Sequence, residues 1–180
     1  MNPVEIINDY YKPGSKAHDI LVRHGEAVAR KSVAVAWRVR HLNPDVEFIR
    51  EAAMLHDIGI FLTRAPHLGC FGEYPYVCHG YLGRELLENQ DLPKHALVCE
   101  RHVGIGITTE EIRRRNLPLP QRDMIPVSIE EQIICYSDKF FSKKGLKTEK
   151  EESEKEVLRS LSPYGRDRVI AFKKWLQLFE

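Results

Sequence analysis

Ala52-Ala53-Met54-Leu55-His56-Asp57-Ile58-Gly59 is the stretch from which the rest of the chain can be ordered. Four good helix formers lead into a His-Asp pair, and a glycine follows. Upstream, Phe48, Ala52 and Leu55 recur at helical spacing. Asn43-Pro44 supplies a cap and a first helical position, and Gly59 falls just past the expected end. Adjacent residues on a helix project about 100° apart. His56 and Asp57 therefore address two neighbouring points in space.

Working outward, helical signals recur along the chain. Val4 to Tyr11 reads as a short helix stopped by Pro13-Gly14. Ser15 then caps a long helix from Lys16 to His41, with Gly25 as a candidate break. Beyond the central stretch, Arg64 to Pro75 holds two prolines and two glycines and reads as a loop bordering a pocket. Helices are expected over Tyr76–Asn89, over Pro93–His102 behind the cap Asp91, and over Thr109–Asn116. Leu117 to Val127 is a proline-rich loop. Ser128 and Glu131 suggest a capping box for a helix reaching Phe141. Thr148 to Ser160 reads as a solvated helix of mixed charge, and Gly165–Phe179 as a final helix with Val169, Phe172, Leu176 and Phe179 on one side. No alternating strands or internal repeats interrupt this pattern. The expected class is all-α: one domain over residues 1–180, with a core at about 16–142 and a C-terminal helical extension at about 148–179.

The composition excludes several classes. The chain has 180 residues, with 27 Lys and Arg against 26 Asp and Glu, a net charge of +1. That balance provides no basic field for a specific nucleic-acid partner. The longest apolar runs are about five residues, such as Val33–Trp37, far short of the roughly 18–20 that span a bilayer. With no signal-like N-terminus and no membrane segment, a cytoplasmic protein is expected. The four cysteines, Cys70, Cys78, Cys99 and Cys135, form no C-x-x-C pair and are expected to be reduced, buried thiols.

The histidines carry the functional argument. His24 precedes the His56-Asp57 pair. His79, His102 and Asp138 follow it, each in a different expected helix or helix end. A second pair, His18-Asp19, has no histidine upstream. Four imidazoles and two carboxylates are N/O donors that suit Fe, Mn, Co, Ni or Zn better than Ca or Mg. A carboxylate can bridge two ions about 3.5–4 Å apart, polarising a water and steadying a phosphoryl group. Inward ligands from several helices are how bundle metal sites are built.

These residues resemble the HD-domain superfamily of metal-dependent phosphohydrolases, in its HDIG-type subgroup. The matching pieces are His24-Gly25-Glu26-Ala27-Val28-Ala29, the central Ala52–Gly59 stretch, His79-Gly80-Tyr81-Leu82-Gly83-Arg84-Glu85-Leu86-Leu87, Glu100-Arg101-His102-Val103-Gly104 and Tyr136-Ser137-Asp138-Lys139, spanning about Leu21 to Phe141. The chain departs from many HDIG members in carrying Ile60, not Lys, after the glycine. It looks most like the small stand-alone members.

The resemblance implies a single HD-domain helical bundle. It also implies two divalent transition metal ions: His24, His56, Asp57 and Asp138 would hold one, and Asp57, His79 and His102 the second. His56 and Asp57 would be the catalytic pair. The implied activity is hydrolysis of a phosphate ester or anhydride in a nucleotide-like small molecule, with a metal-activated water as nucleophile. A di-iron HD-type oxygenase and a non-catalytic metal-binding regulatory module are the alternatives. Arg64, Arg101 and Lys139 are candidates to reach a substrate phosphate. A homo-oligomer is compatible with this reading. His18, His41, His67 and His95 are expected at the surface, and Arg113-Arg114-Arg115 on one exposed helix turn.

Overall fold

A computed structural model describes residues 1–143 and 149–180. Nine α-helices occupy most of the described residues: α1 (Pro3–Tyr10), α2 (Lys16–Arg38), α3 (Val46–Leu55), α4 (His79–Glu88), α5 (Pro93–Arg101), α6 (Thr109–Arg114), α7 (Ile129–Asp138), α8 (Glu154–Leu161) and α9 (Arg166–Phe179). The fold is all-α. The only sheet among the described residues pairs β1 (Arg64–Ala65) with β2 (Cys70–Phe71), antiparallel, inside the expected loop. Among the described residues, no helix is long and apolar enough to cross a membrane.

α2 packs along both α3 and α7, and α4 packs on α5. Their apolar faces form one core that includes Val28, Val35, Ile49, Leu55, Leu87, Ile133 and Ile134. Tyr136 of α7 carries this core to the C-terminal helices: its ring stacks on Phe172 at 5.3 Å and meets Phe179 at 5.1 Å. A smaller cluster, with Leu82, Ile107, Ile112 and Met124, lies under the proline-rich loop.

Several local expectations are corrected. Asn43 does not cap α3. It takes a left-handed conformation (φ 53°), and Asp45 caps the helix by accepting from the Phe48 N–H. Gly25 does not break α2, because the missing side chain is used for packing: a Cβ there would stand 3.2 Å from the Met54 backbone. Tyr76–Cys78 is a 3₁₀ turn, with α4 starting at His79. Ser128 caps α7, but Glu131 completes no capping box, because its carboxylate is bound to Arg101 and to the Val127 N–H. The complete capping box is Ser153 with Glu156 at the start of α8. The expected start of the charged helix at Thr148 lies outside the described residues.

The HDIG segment is held by close packing. Residues Ile58–Leu62 form a 3₁₀ turn lying directly on α4. A Cβ on Gly59 would stand 2.3 Å from the His79 carbonyl oxygen and 2.5 Å from the Gly83 nitrogen. Gly83 is equally constrained, since its Cβ would stand 2.2 Å from Cys99 Sγ. Gly59 therefore serves backbone contact between two elements more than it serves a helix stop. Tyr11 fastens the other side, donating its hydroxyl to the Ile58 carbonyl (2.9 Å) and accepting from the Phe61 N–H (3.0 Å).

Candidate metal centre

The six candidate ligands lie at mid-helix or at helix ends. His24 sits in the middle of α2. His56 and His102 are the C-caps of α3 and α5, Asp57 follows His56, His79 opens α4, and Asp138 closes α7. The last carbonyls of a helix lack intrahelical partners. In α3 and α5 the histidines use them: Nδ1 of His56 stands 2.6 Å from the Ala53 carbonyl, and Nδ1 of His102 stands 2.7 Å from that of Cys99. Nδ1 of His79 makes the same contact, 2.6 Å, with the Tyr76 carbonyl. Each bond fixes the ring and its tautomer, leaving Nε2 to face the centre. His24 is mid-helix, where backbone carbonyls are already bonded, and its Nδ1 has no hydrogen-bond partner among the described residues.

The six residues are between 0 and 6% exposed. Their donor atoms fall into two groups that share Asp57. In the first, His24 Nε2 stands 2.9 Å from Asp138 Oδ1 and 3.4 Å from Asp57 Oδ2. His56 Nε2 stands 3.2 Å from the same Asp57 oxygen and 3.4 Å from Asp138 Oδ1. In the second, His79 and His102 Nε2 each stand 3.3 Å from Asp57 Oδ1, and 3.1 Å from one another. Ligands held about 2.1 Å from one ion stand roughly 3.0–3.4 Å apart at octahedral to tetrahedral angles. These edges match that spacing, and the two carboxylate oxygens of Asp57 face different groups.

The hydrogen bonding supports the same fit. With both Nδ1 protons engaged, the facing Nε2 atoms of His79 and His102 carry lone pairs, which repel unless a cation stands between them. Among the described residues, Asp57 Oδ1 and His56 Nε2 are buried without a hydrogen-bond partner, while Asp57 Oδ2 lies 2.7 Å from the Lys143 ammonium. Such groups are costly in isolation and ordinary as metal ligands. The donor set thus fits divalent metal. Helices α3, α5 and α7 also point their C-termini, the negative ends of their dipoles, at this place.

The electrostatics agree. Burial lowers the His24 pKa to about 4 and that of His102 to about 3, keeping both as neutral imidazoles. Burial opposes charge on His56 as well, but Asp57 and Asp138 outweigh it and raise its pKa to about 9, so the carboxylates call for positive charge here. Burial works against both carboxylates. His56 and Lys143 nevertheless hold Asp57 well below the usual range, and Lys139 and Lys143 do the same for Asp138.

The three phosphate candidates are placed differently from one another. Lys139 is at the centre, with Nζ 2.7 Å from Asp138 Oδ2 and 3.4 Å from the His102 carbonyl. Arg101 is engaged by Glu131 at 2.9 and 3.0 Å. Arg64 is an exposed residue of β1.

Two features escaped the sequence. Lys143 stands 2.7 Å from Asp57 Oδ2, five positions beyond Asp138 in a run of basic residues that offered no periodic signal. The buried thiols of Cys99 and Cys135 donate to the His56 and His102 carbonyls, at 2.9 and 3.4 Å, backing the turns that carry these candidate ligands. Of the four histidines expected at the surface, His41 and His67 are exposed and His18 is half-buried. His95 is instead buried against Phe48 and 3.4 Å from Glu51, because α5 lies against α3.

Comparison with known proteins identifies the family. The HD domain family matches residues 21–142. An uncharacterized protein of Methanocaldococcus jannaschii is 34% identical over 121 residues, covering 66% of this chain and 64% of that protein. Two proteins named tRNA (cytidine(56)-2'-O)-methyltransferase are also similar: that of Picrophilus torridus, 33% identical over 128 residues, and that of Thermoplasma volcanium, 31% identical over 133 residues. They cover 70% and 73% of this chain, which spans only 33% and 34% of their lengths. No solved structure matches. The match extends from α2 to just beyond the end of α7 and takes in all six residues of the buried His/Asp cluster, and the chain belongs to the HD domain family.

Proposed function

We propose that the protein is a metal-dependent phosphohydrolase that cleaves a phosphate ester or anhydride of a nucleotide-like small molecule. The observation that carries this reading is Asp57, whose two oxygens each face a separate group of donors at 3.2–3.4 Å. His24, His56, Asp57 and Asp138 would hold one ion, and Asp57, His79 and His102 the other. Two such ions would supply Lewis acidity to a phosphoryl oxygen and generate a nucleophile from water near neutral pH. The protein residues orient that chemistry. The carbonyl-anchored histidines keep Nε2 aimed inward, and Asp57 presents one oxygen to each donor group. The ammonium of Lys139 adds positive charge at the edge where a phosphate would approach.

The test is metal content by mass spectrometry, followed by phosphate release with Mn, Fe, Co, Ni or Zn. Nucleoside phosphates head the substrate panel. RNA 2'- and 3'-phosphate ends are included because two relatives are named for tRNA modification. Asp57→Ala is expected to lose both ions and to lower the rate by orders of magnitude. His79→Ala is expected to lose mainly the second ion. Equal phosphate release by wild type and a folded Asp57→Ala would refute the reading. Two bound irons with oxygen uptake and no phosphate release would replace it with an oxygenase. Metal binding with neither activity would leave a regulatory module.

A further inference from the structure

Lys143 is placed unlike the other described basic residues near the centre. Its Nζ lies 2.7 Å from Asp57 Oδ2 and 3.7 Å from Asp138 Oδ1. Those are the two carboxylate oxygens that belong to the first donor group, with His24 and His56 Nε2. Lys139, by contrast, contacts Asp138 through Oδ2, the oxygen outside that group. An ion about 2.1 Å from both inner oxygens would bring a dication within a few ångström of the Lys143 ammonium, in surroundings with little water to screen them. The Lys143 side chain is only 15% exposed, and its flexible four-carbon stem can carry the charge aside.

We infer that the Lys143 ammonium and a divalent ion exclude one another at the first donor group. Metal loading then expels Lys143 from its carboxylate pair and leaves it as a free cation beside the centre, available to an incoming phosphate. This rests on the reading of that group as a metal site. It assigns Lys143 two linked roles: competitor for the metal, then anion-binding residue.

The experiment compares wild type, Lys143→Met and Lys139→Met after chelation and dialysis, with folding checked by circular dichroism. Lys143→Gln serves if the methionine variant does not fold. Mn²⁺ affinity is measured by titration calorimetry. A competitor that occupies the site most of the time weakens apparent affinity by the fraction of sites left open. Lys143→Met is therefore expected to bind Mn²⁺ at least tenfold more tightly than wild type, and Lys139→Met to change by much less. Inorganic phosphate, titrated into the Mn²⁺-loaded proteins, is expected to bind several-fold more weakly to Lys143→Met.

A general effect of removing one positive charge would move both lysine variants alike, and that result overturns the inference. So does unchanged or weakened Mn²⁺ binding in Lys143→Met, or unchanged phosphate binding. If wild type and Lys143→Met bind Mn²⁺ equally, the metal reading stands and only the Lys143 role falls. If no variant binds any divalent ion, both fall.

Discussion

Gly59→Ala would test whether the glycine of the HDIG segment is a packing residue, as its surroundings indicate. Its backbone does not use the left-handed region, so alanine is tolerated conformationally and the effect is steric alone. The new Cβ would stand 2.3 Å from the His79 carbonyl oxygen, about 1 Å inside ordinary contact at 3.4 Å. The Gly83 nitrogen blocks it at 2.5 Å as well. Both obstacles are backbone, so no rotamer change relieves them, and the 3₁₀ turn must move away from α4. Overpacking of this kind costs typically about 1–3 kcal/mol, and rigid neighbours put this site near 3. For a chain of this size that lowers Tm by roughly 6–12 °C. The displacement also pulls on His79, whose Nε2 is 3.3 Å from Asp57 Oδ1. On the proposed two-ion reading, metal held on the His79 and His102 side should therefore be lost first. Thermal unfolding in chelator measures the first effect, and metal stoichiometry the second. A variant with unchanged Tm and the metal content of wild type would refute the packing argument.

Two further outcomes follow from other parts of the structure. Tyr11→Phe removes a hydroxyl that serves both the Ile58 carbonyl and the Phe61 N–H, leaving buried backbone groups unpaired at about 1–3 kcal/mol. Chelated protein should melt several degrees lower, whereas unchanged melting would mean water replaces the hydroxyl. Burial disfavours charge on Glu111, but Arg168 at 2.6 Å and Arg115 at 2.7 Å outweigh it and hold the carboxyl below its ordinary value of 4.5. A pKa depressed in the folded state contributes stability that is complete above the unfolded value and lost as pH falls through the folded one. Glu111→Gln should accordingly be less stable than wild type at neutral pH, with the gap closing in acid. A gap independent of pH would assign the loss to packing.

The helical class was legible because apolar residues at a 3.6-residue period need only one face to be buried, and local signals such as Ser15 and Ser128 mark where the period begins. The six donors were legible as a set because their residue types and order resemble a family, although they span 114 positions. What sequence alone left undetermined depends on which backbones meet. Asn43-Pro44 carried a cap signal, yet the chain bent at Asn43 and Asp45 took that role. Gly59 read as a helix stop, but the approach of α4 made it a contact surface. His95 looked like a surface residue until α5 packed on α3. Lys143 had no pattern at all, because a lysine beyond the end of a helix is placed by its tertiary contacts, here with Asp57 and Asp138. Periodicity and caps act within a few residues of chain, so the sequence could state them. The sharing of Asp57 between two donor groups, and the ammonium standing against it, arise only when α2, α3, α4, α5 and α7 are packed together.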